Sequence, residues 1–352
     1  MENRKKVIFI VLEILLIIIF TVLLTETAFR IYSRFNPTFI FPNQSYNRFR
    51  GIPFSHDYSN FKLNSMGFKD IEFKTNKHPG TTRIIAIGDS FVFGVVPYEF
   101  NYLTLIENRL NKQHKSFEVF NMGIPSIGIK DYLSLLVHEG IKLNPDIVII
   151  NIFIGNDFTS SKENTSSYLF SFLKYLFKIV PDYKGKIIHG QAEYHDNEES
   201  FSDDKYLEIE AGRSSIYLKE NKEIEKHITG AMTYLKRIKA ICDKRRIKLL
   251  VVLIPDDVQI NKSLQEKVVK IINENTGSFD FTQPNILISK KLFNEKITYV
   301  DLTKYFIDKN KREGLILYKP NDTHWNKAGN KLASEILLKE IIKLHPPTSQ
   351  AN

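Results

Sequence analysis

The run from Val7 to Leu24, broken only by Glu13 and Thr21, is the feature this chain must accommodate first. Its length matches the roughly 20 apolar residues that cross a hydrocarbon core as a helix. Arg4, Lys5 and Lys6 precede it, so the positive-inside bias keeps the N-terminus cytoplasmic and sends the remainder outward. A cleaved signal peptide and a buried core helix are the competing readings. Against the first, no small-x-small site follows the run, only Thr25-Glu26-Thr27-Ala28-Phe29-Arg30. Against the second stand the flanking charges. The chain therefore divides into a cytoplasmic tip (1–6), a transmembrane anchor (7–27), an extended lead-in (28–80), an α/β domain (81–345) and a disordered tail (346–352).

Composition narrows the chemistry. Cys242 is the single cysteine, which excludes an intramolecular disulfide framework, a multi-cysteine zinc site and an iron–sulfur cluster. Its place on the apolar face of a helix makes it core rather than nucleophile. The formal charge of +9 is spread along the chain, which speaks for anionic surroundings such as lipid head groups and against a nucleic-acid partner.

Beyond the lead-in, short apolar runs alternate with helical periodicity. Arg83–Gly88, Phe117–Asn121, Asp146–Ile154, Leu249–Pro255 and Ile297–Leu302 read as five strands buried on both faces. Between them, Leu103, Ile106 and Leu110, then Ile129, Leu133 and Leu136, then Ile224 to Cys242, recur at helical spacing, and Leu332 to Ile341 mark a final helix. From about 158 to 221 the alternation breaks; this insertion reads as one short amphipathic helix (Tyr168 to Val180) and an acidic, Ser-rich exposed loop (His195 to Asp204). Alternating strands and helices predict a parallel sheet covered on both faces, with the site at the carboxyl ends of its strands.

Three strand-end loops carry candidate chemistry. Gly88-Asp89-Ser90 follows the first strand; a serine on a strand-to-helix turn exposes its hydroxyl and aims its amide at an incoming oxyanion. It is neither a phosphate loop nor Gly-x-Ser-x-Gly, and a helix N-cap explains such a serine equally well. Gly155-Asn156-Asp157 follows the third strand; Asn156 offers an amide donor, or is ordinary turn chemistry. Asp322-Thr323-His324 precedes the last helix. A serine needs a base, usually histidine, and a carboxylate to fix its tautomer. The other eight histidines show no ligand spacing, so no metal is expected.

Taken together, Gly88-Asp89-Ser90-Phe91, Gly155-Asn156-Asp157 and Asp322-Thr323-His324 resemble the signature blocks of the SGNH/GDSL hydrolases, over roughly residues 81–345. Leu63–Phe68, Thr25–Arg30 and Leu253–Gln259 are similar to segments of membrane-anchored, bacterial-type members. The resemblance implies a flavodoxin-like three-layer α/β/α fold with a parallel five-stranded sheet, here preceded by one transmembrane helix. It implies Ser90 as nucleophile, His324 as base and Asp322 as its orienter, with an oxyanion hole from the Ser90 amide, Asn156 and the second block. In that block, Ser126 of Asn121–Gly128 stands where the family usually has its donor glycine. The Asp-x-His spacing is that of membrane-associated and polysaccharide-acetylating relatives.

The implied function is a membrane-anchored, outward-facing serine esterase removing O-acyl groups, foremost O-acetyl, from a carbohydrate. No cofactor is called for. Polysaccharide O-acetyltransferase, lipase or thioesterase, and a non-catalytic carbohydrate-binding protein are the alternatives.

Overall fold

A computed structural model describes residues 2–39, 45–57, 59–113, 116–159, 167–177, 179, 185, 194–219, 221–272 and 276–345. The tail expected at 346–352 lies outside the described residues, as do parts of the 158–221 insertion. The chain forms two compact units. One comprises residues 1–44 and 163–182, and the other 45–162 and 183–352.

The larger unit is built on five parallel strands: β1 (Thr82–Gly88), β2 (Phe117–Gly123), β3 (Ile147–Phe153), β4 (Lys248–Ile254) and β5 (Tyr299–Asp301), in the order β2-β1-β3-β4-β5. Every residue of β3 is buried, which is why its sequence shows no period of two: helices cover both faces. On one face, α3 (Tyr102–Gln113), α11 (Thr303–Glu313) and α12 (Lys327–Leu344) share a core that joins Leu103, Ile106, Phe306, Trp325 and Leu337 to β-strand residues such as Ile84, Ile149 and Val252. The other face is covered by α4 (Ile129–His138), α7 (Lys222–Arg245) and α10 (Gln283–Asn294). Cys242 is buried on α7, as its periodicity predicts. The three-layer, parallel architecture expected from the alternation is thus the one observed. Its strand order reverses direction between β1 and β3, the switch point where open α/β sheets bind ligands.

Three expectations change. The lead-in is not extended from residue 28, because α1 runs from Glu2 to Phe35. Nothing between Thr25 and Phe35 breaks a helix, Glu26 and Arg30 pair across one turn at 2.8 Å, and the helix stops just before Pro37. Nor does the larger unit begin at residue 81. Residues from Ser45 belong to it, with Tyr46, Leu63 and Phe68 fully buried. A buried ion pair fastens this segment: Lys69 Nζ lies 2.5 Å from Asp57, and both side chains are essentially inaccessible. The insertion also holds more structure than one helix and a loop, with α5 (Tyr168–Leu176), α6 (Asp203–Arg213) and a 3-10 turn at Ser214–Tyr217. Glu210 and Tyr206 of α6 are buried, so the acidic composition hid a packed face.

In the smaller unit, α5 docks on α1. Glu26 of α1 accepts hydrogen bonds from the Ser167 hydroxyl (2.7 Å) and the Leu169 amide (3.0 Å) at the start of α5. Phe29 meets Phe172 with ring centroids 5.5 Å apart, and Phe39 stacks on Tyr168 at 5.9 Å. The apolar run of α1 is exposed throughout, with a mean hydropathy of 3.3 over its most apolar window.

Candidate active site

β1 delivers its chain end to a sharp turn. Asp89 caps the four-residue helix α2 (Ser90–Phe93), its carboxylate accepting the Phe91 amide at 2.9 Å. Ser90 is therefore the first helical residue, with its hydroxyl partly exposed above the strand ends. The turn is braced from three sides. The Asn121 and Asn101 side chains donate to Val92 O at 2.7 and 3.1 Å. Lys69 Nζ donates to Gly94 O at 2.9 Å and Val96 O at 2.7 Å, capping the exit of α2 with the ammonium that Asp57 neutralises. At the end of β2, Gly123 makes this packing feasible, since a Cβ there would sit 2.1 Å from the Phe93 amide nitrogen.

Asp322 and His324 lie on the loop before α12, closed by an antiparallel bridge between Tyr318 and Trp325. Asp322 Oδ1 accepts from the His324 amide at 3.0 Å and lies 2.7 Å from His324 Nδ1. His324 Nε2 lies 2.8 Å from Ser90 Oγ. A neutral imidazole carrying its proton on Nδ1 satisfies both contacts: it donates to Asp322 and accepts from the Ser90 hydroxyl. The ring packs 5.1 Å from Phe91, which limits its movement. Burial pushes the Asp322 carboxyl up, but the His324 charge and hydrogen bonds from the His324 ring, the Ser200 hydroxyl and the His324 amide outweigh it, leaving it at about 2. Asp322 is thus ionised wherever the imidazole needs it.

Two further carboxyls lie beneath. Burial raises Asp89 to about 6 against the pull of the Phe91 amide and the His324 charge. Asp157, also buried, is held well above the ordinary range by burial and by the Asp89 charge, and accepts from Tyr132 Oη and the Phe153 amide, each at 2.9 Å. Through these two bonds Asp157 fixes the turn after β3.

The remaining expected donors are not hydrogen-bonded to this trio. Asn156 is exposed on the β3 turn, where its carbonyl accepts from Thr159. Ser126 is exposed on the loop after β2 with φ of +63°. A side chain there is strained where glycine would be relaxed. Among the described residues neither side chain hydrogen-bonds Ser90 or His324. Both do lie on strand-end loops of β1's immediate neighbours. The Gly123 amide is engaged by Asn121 Oδ1 at 2.9 Å.

Residues that sequence reasoning passed over hold the His324 loop from the side. Ser200 donates to Asp322 Oδ2 and accepts from Lys319 Nζ at 3.1 Å. Arg213, at the end of α6, contacts Thr323 Oγ1 at 3.1 Å, Asp256 Oδ1 at 2.9 Å and Glu210. Two buried carboxyls face this one guanidinium. Burial and then the Asp256 charge push Glu210 up to about 9, against the pull of the Arg213 guanidinium. The only hint in the sequence was Asp256 beside a strand end; Ser200 and Arg213 lie where no periodicity exists. A cleft of about 250 Å³ borders the same loop, lined in part by Tyr206, Asp257, Lys319 and Asn321; Ser90 and His324 do not line it.

No family model matches the chain, and no curated protein matches it. Solved structures that it resembles include an acetyl xylan esterase, at 17% identity and a TM-score of 0.45, covering 74% of this chain and all of the other. An acetylxylan esterase from Geobacillus stearothermophilus matches at 14% identity and a TM-score of 0.41, covering 76% of this chain and 96% of the other. A lipolytic protein of the G-D-S-L family from Veillonella parvula matches at 13% and 0.41, covering 75% of this chain and all of the other.

Proposed function

We propose that this chain is a serine esterase of the SGNH/GDSL type, anchored by α1 with its larger unit outside the membrane. The observation that carries the reading is the continuous contact from Asp322 through His324 to Ser90, at 2.7 and 2.8 Å, at the carboxyl ends of a parallel sheet. Ser90 Oγ attacks the acyl carbonyl as its proton passes to His324 Nε2, and the departing alcohol takes that proton. Water then gives a proton to His324 and adds to the acyl-enzyme; collapse releases the carboxylic acid and returns the proton to Ser90. Asp322 holds the imidazole tautomer and supports the imidazolium. The Ser90 amide, Asn156 and a donor from the 123–128 loop, with Ser126 at the family's position, receive the oxyanion. The substrate implied by the resemblance is an O-acetylated carbohydrate.

A fluorophosphonate probe on the full chain tests the chemistry. Labelling that disappears in Ser90→Ala supports it, and no labelling of a folded wild type overturns it. An acyl-chain series tests the substrate: turnover falling steeply beyond acetyl is expected, and a preference for long chains replaces the carbohydrate reading with a lipase or thioesterase. Acetyl transfer to an oligosaccharide outpacing hydrolysis makes the enzyme a transferase.

A further inference from the structure

We propose that α5 is an interfacial helix whose exposed apolar stripe lies in the headgroup–acyl boundary of the bilayer that holds α1; this rests on reading α1 as a membrane span. Phe170, Leu173 and Phe177 recur three and four residues apart, with exposures of 56%, 37% and 66%, and Leu176 beside them is 56% exposed. Tyr168 and Phe172 turn instead toward α1 and the segment just after it, where they meet Phe39 and Phe29 respectively. The helix therefore has one face spent on α1 and another that is apolar and in solvent.

Its position along α1 identifies the occupant. The bonds from Ser167 and Leu169 end on Glu26, two residues past Leu24, the last residue of the apolar run. At 1.5 Å per residue this is about 3 Å beyond the hydrocarbon span, the level at which aromatic side chains gather in membrane proteins. Phe29, Phe39, Tyr168 and Phe172 cluster at this level. α5 has no acidic residue, and its one cation, Lys174, folds its ammonium 4.6 Å from the Phe170 ring centroid. In this contact the aromatic face carries the charge that a lysine among apolar side chains must otherwise hold in water, and the flexible stem lets the ammonium turn to lipid phosphate at an interface. The exposed stripe is thus continuous with a surface already destined for lipid, and a bilayer covers both without a second protein.

The test uses the full chain with Cys242→Ala, reconstituted in phosphatidylcholine/phosphatidylglycerol vesicles and labelled with an environment-sensitive fluorophore at Leu16→Cys, Leu176→Cys or Lys205→Cys. Quenching is compared between lipids spin-labelled at carbon 5 and at carbon 12 of the acyl chain. Leu16 is expected to be quenched more by the deep label. Leu176 is expected to be blue-shifted and quenched more by the shallow label, with roughly twofold lower emission, and Lys205 by neither. Phe177→Cys repeats the measurement should Leu176→Cys fail to fold. If Leu16 is deep but the α5 probes behave like Lys205, the proposal is overturned and the anchor stands. Blue-shifted α5 probes that neither lipid quenches mean cover by protein, such as a second copy, and also overturn it. A Leu16 probe in water removes the anchor reading and this one together.

Discussion

The turn bearing Ser90 and the loop bearing His324 are both held by segments outside the strand–helix alternation, and they are held differently. On the serine side the brace is a sealed charge pair: Lys69 and Asp57 are 1% and 0% exposed, and the ammonium ends on two carbonyls of the chain leaving α2. On the histidine side the brace is a set of separate polar contacts: half-buried Ser200, held by the buried Lys319, and Arg213, 13% exposed, which reaches Thr323 from the edge of solvent while backing onto the buried Asp256. Removing one partner from a sealed pair leaves a charge that water cannot reach, whereas water substitutes for an edge contact. The serine side is accordingly built for rigidity. The histidine side leaves more room for adjustment, which suits the base role proposed for His324.

Breaking the comparison at its centre gives the largest effect. Ser90→Ala or His324→Ala is expected to lower kcat for acetyl-ester hydrolysis at least about 1000-fold, with the circular dichroism spectrum unchanged. Next in size, Lys69→Met is expected to destabilise by about 3–5 kcal/mol in urea unfolding. Lys69→Met with Asp57→Leu should recover much of that loss; no recovery would mean that the carbonyl contacts, not the charge pair, hold the turn. Arg213→Gln acts on the sealed end of the histidine-side brace, stripping the fully buried Asp256 of its countercharge, and is expected to cost about 3 kcal/mol. Its Tm loss should shrink in the Arg213→Gln, Asp256→Asn double variant.

Acid sharpens the contrast, because Asp322 is held at about 2 in the fold against 3.8 as its ordinary value. A carboxyl lowered in this way adds stability that is complete above about pH 4 and lost as pH falls toward 2, about 2 kcal/mol in all. Asp322→Asn should flatten the stability curve over that window, and an unchanged slope between pH 4 and 2 counts against the pairing. Smallest is Ser200→Ala, which removes one of several bonds to Asp322. A roughly fivefold fall in kcat, about 1 kcal/mol, with KM unchanged is the expected outcome. A KM effect alone would make Ser200 a substrate contact.

How much of this was legible in the sequence depends on distance along the chain. The parallel sheet was readable because each strand is a local apolar run, and β3 is apolar along its whole length. Ser90, Asp322 and His324 were readable as candidates because they follow such runs or precede a periodic helix, inside short characteristic blocks. The braces were not. Lys69 and Asp57 are ordinary surface residue types, and only the fold buries them. Ser200 and Arg213 lie in the one stretch without periodicity, and they reach the His324 loop across separations of 122 and 110 residues. The length of α1 was missed at its C-terminal end because hydropathy marks where a membrane ends, not where a helix does.

The contact between Ser90 and His324 spans 234 residues, and that interval has a meaning in time. At about 5–20 residues per second, a ribosome completes the Ser90 turn roughly 10 to 50 seconds before it makes His324. α12 docks on α3 last, with the Tyr102 amide donating to Asn330 Oδ1 at 3.1 Å. A nascent or truncated chain therefore carries Ser90 without His324. In the proposed enzyme, acyl chemistry switches on only when the C-terminal helix is in place, after the anchor has already been made.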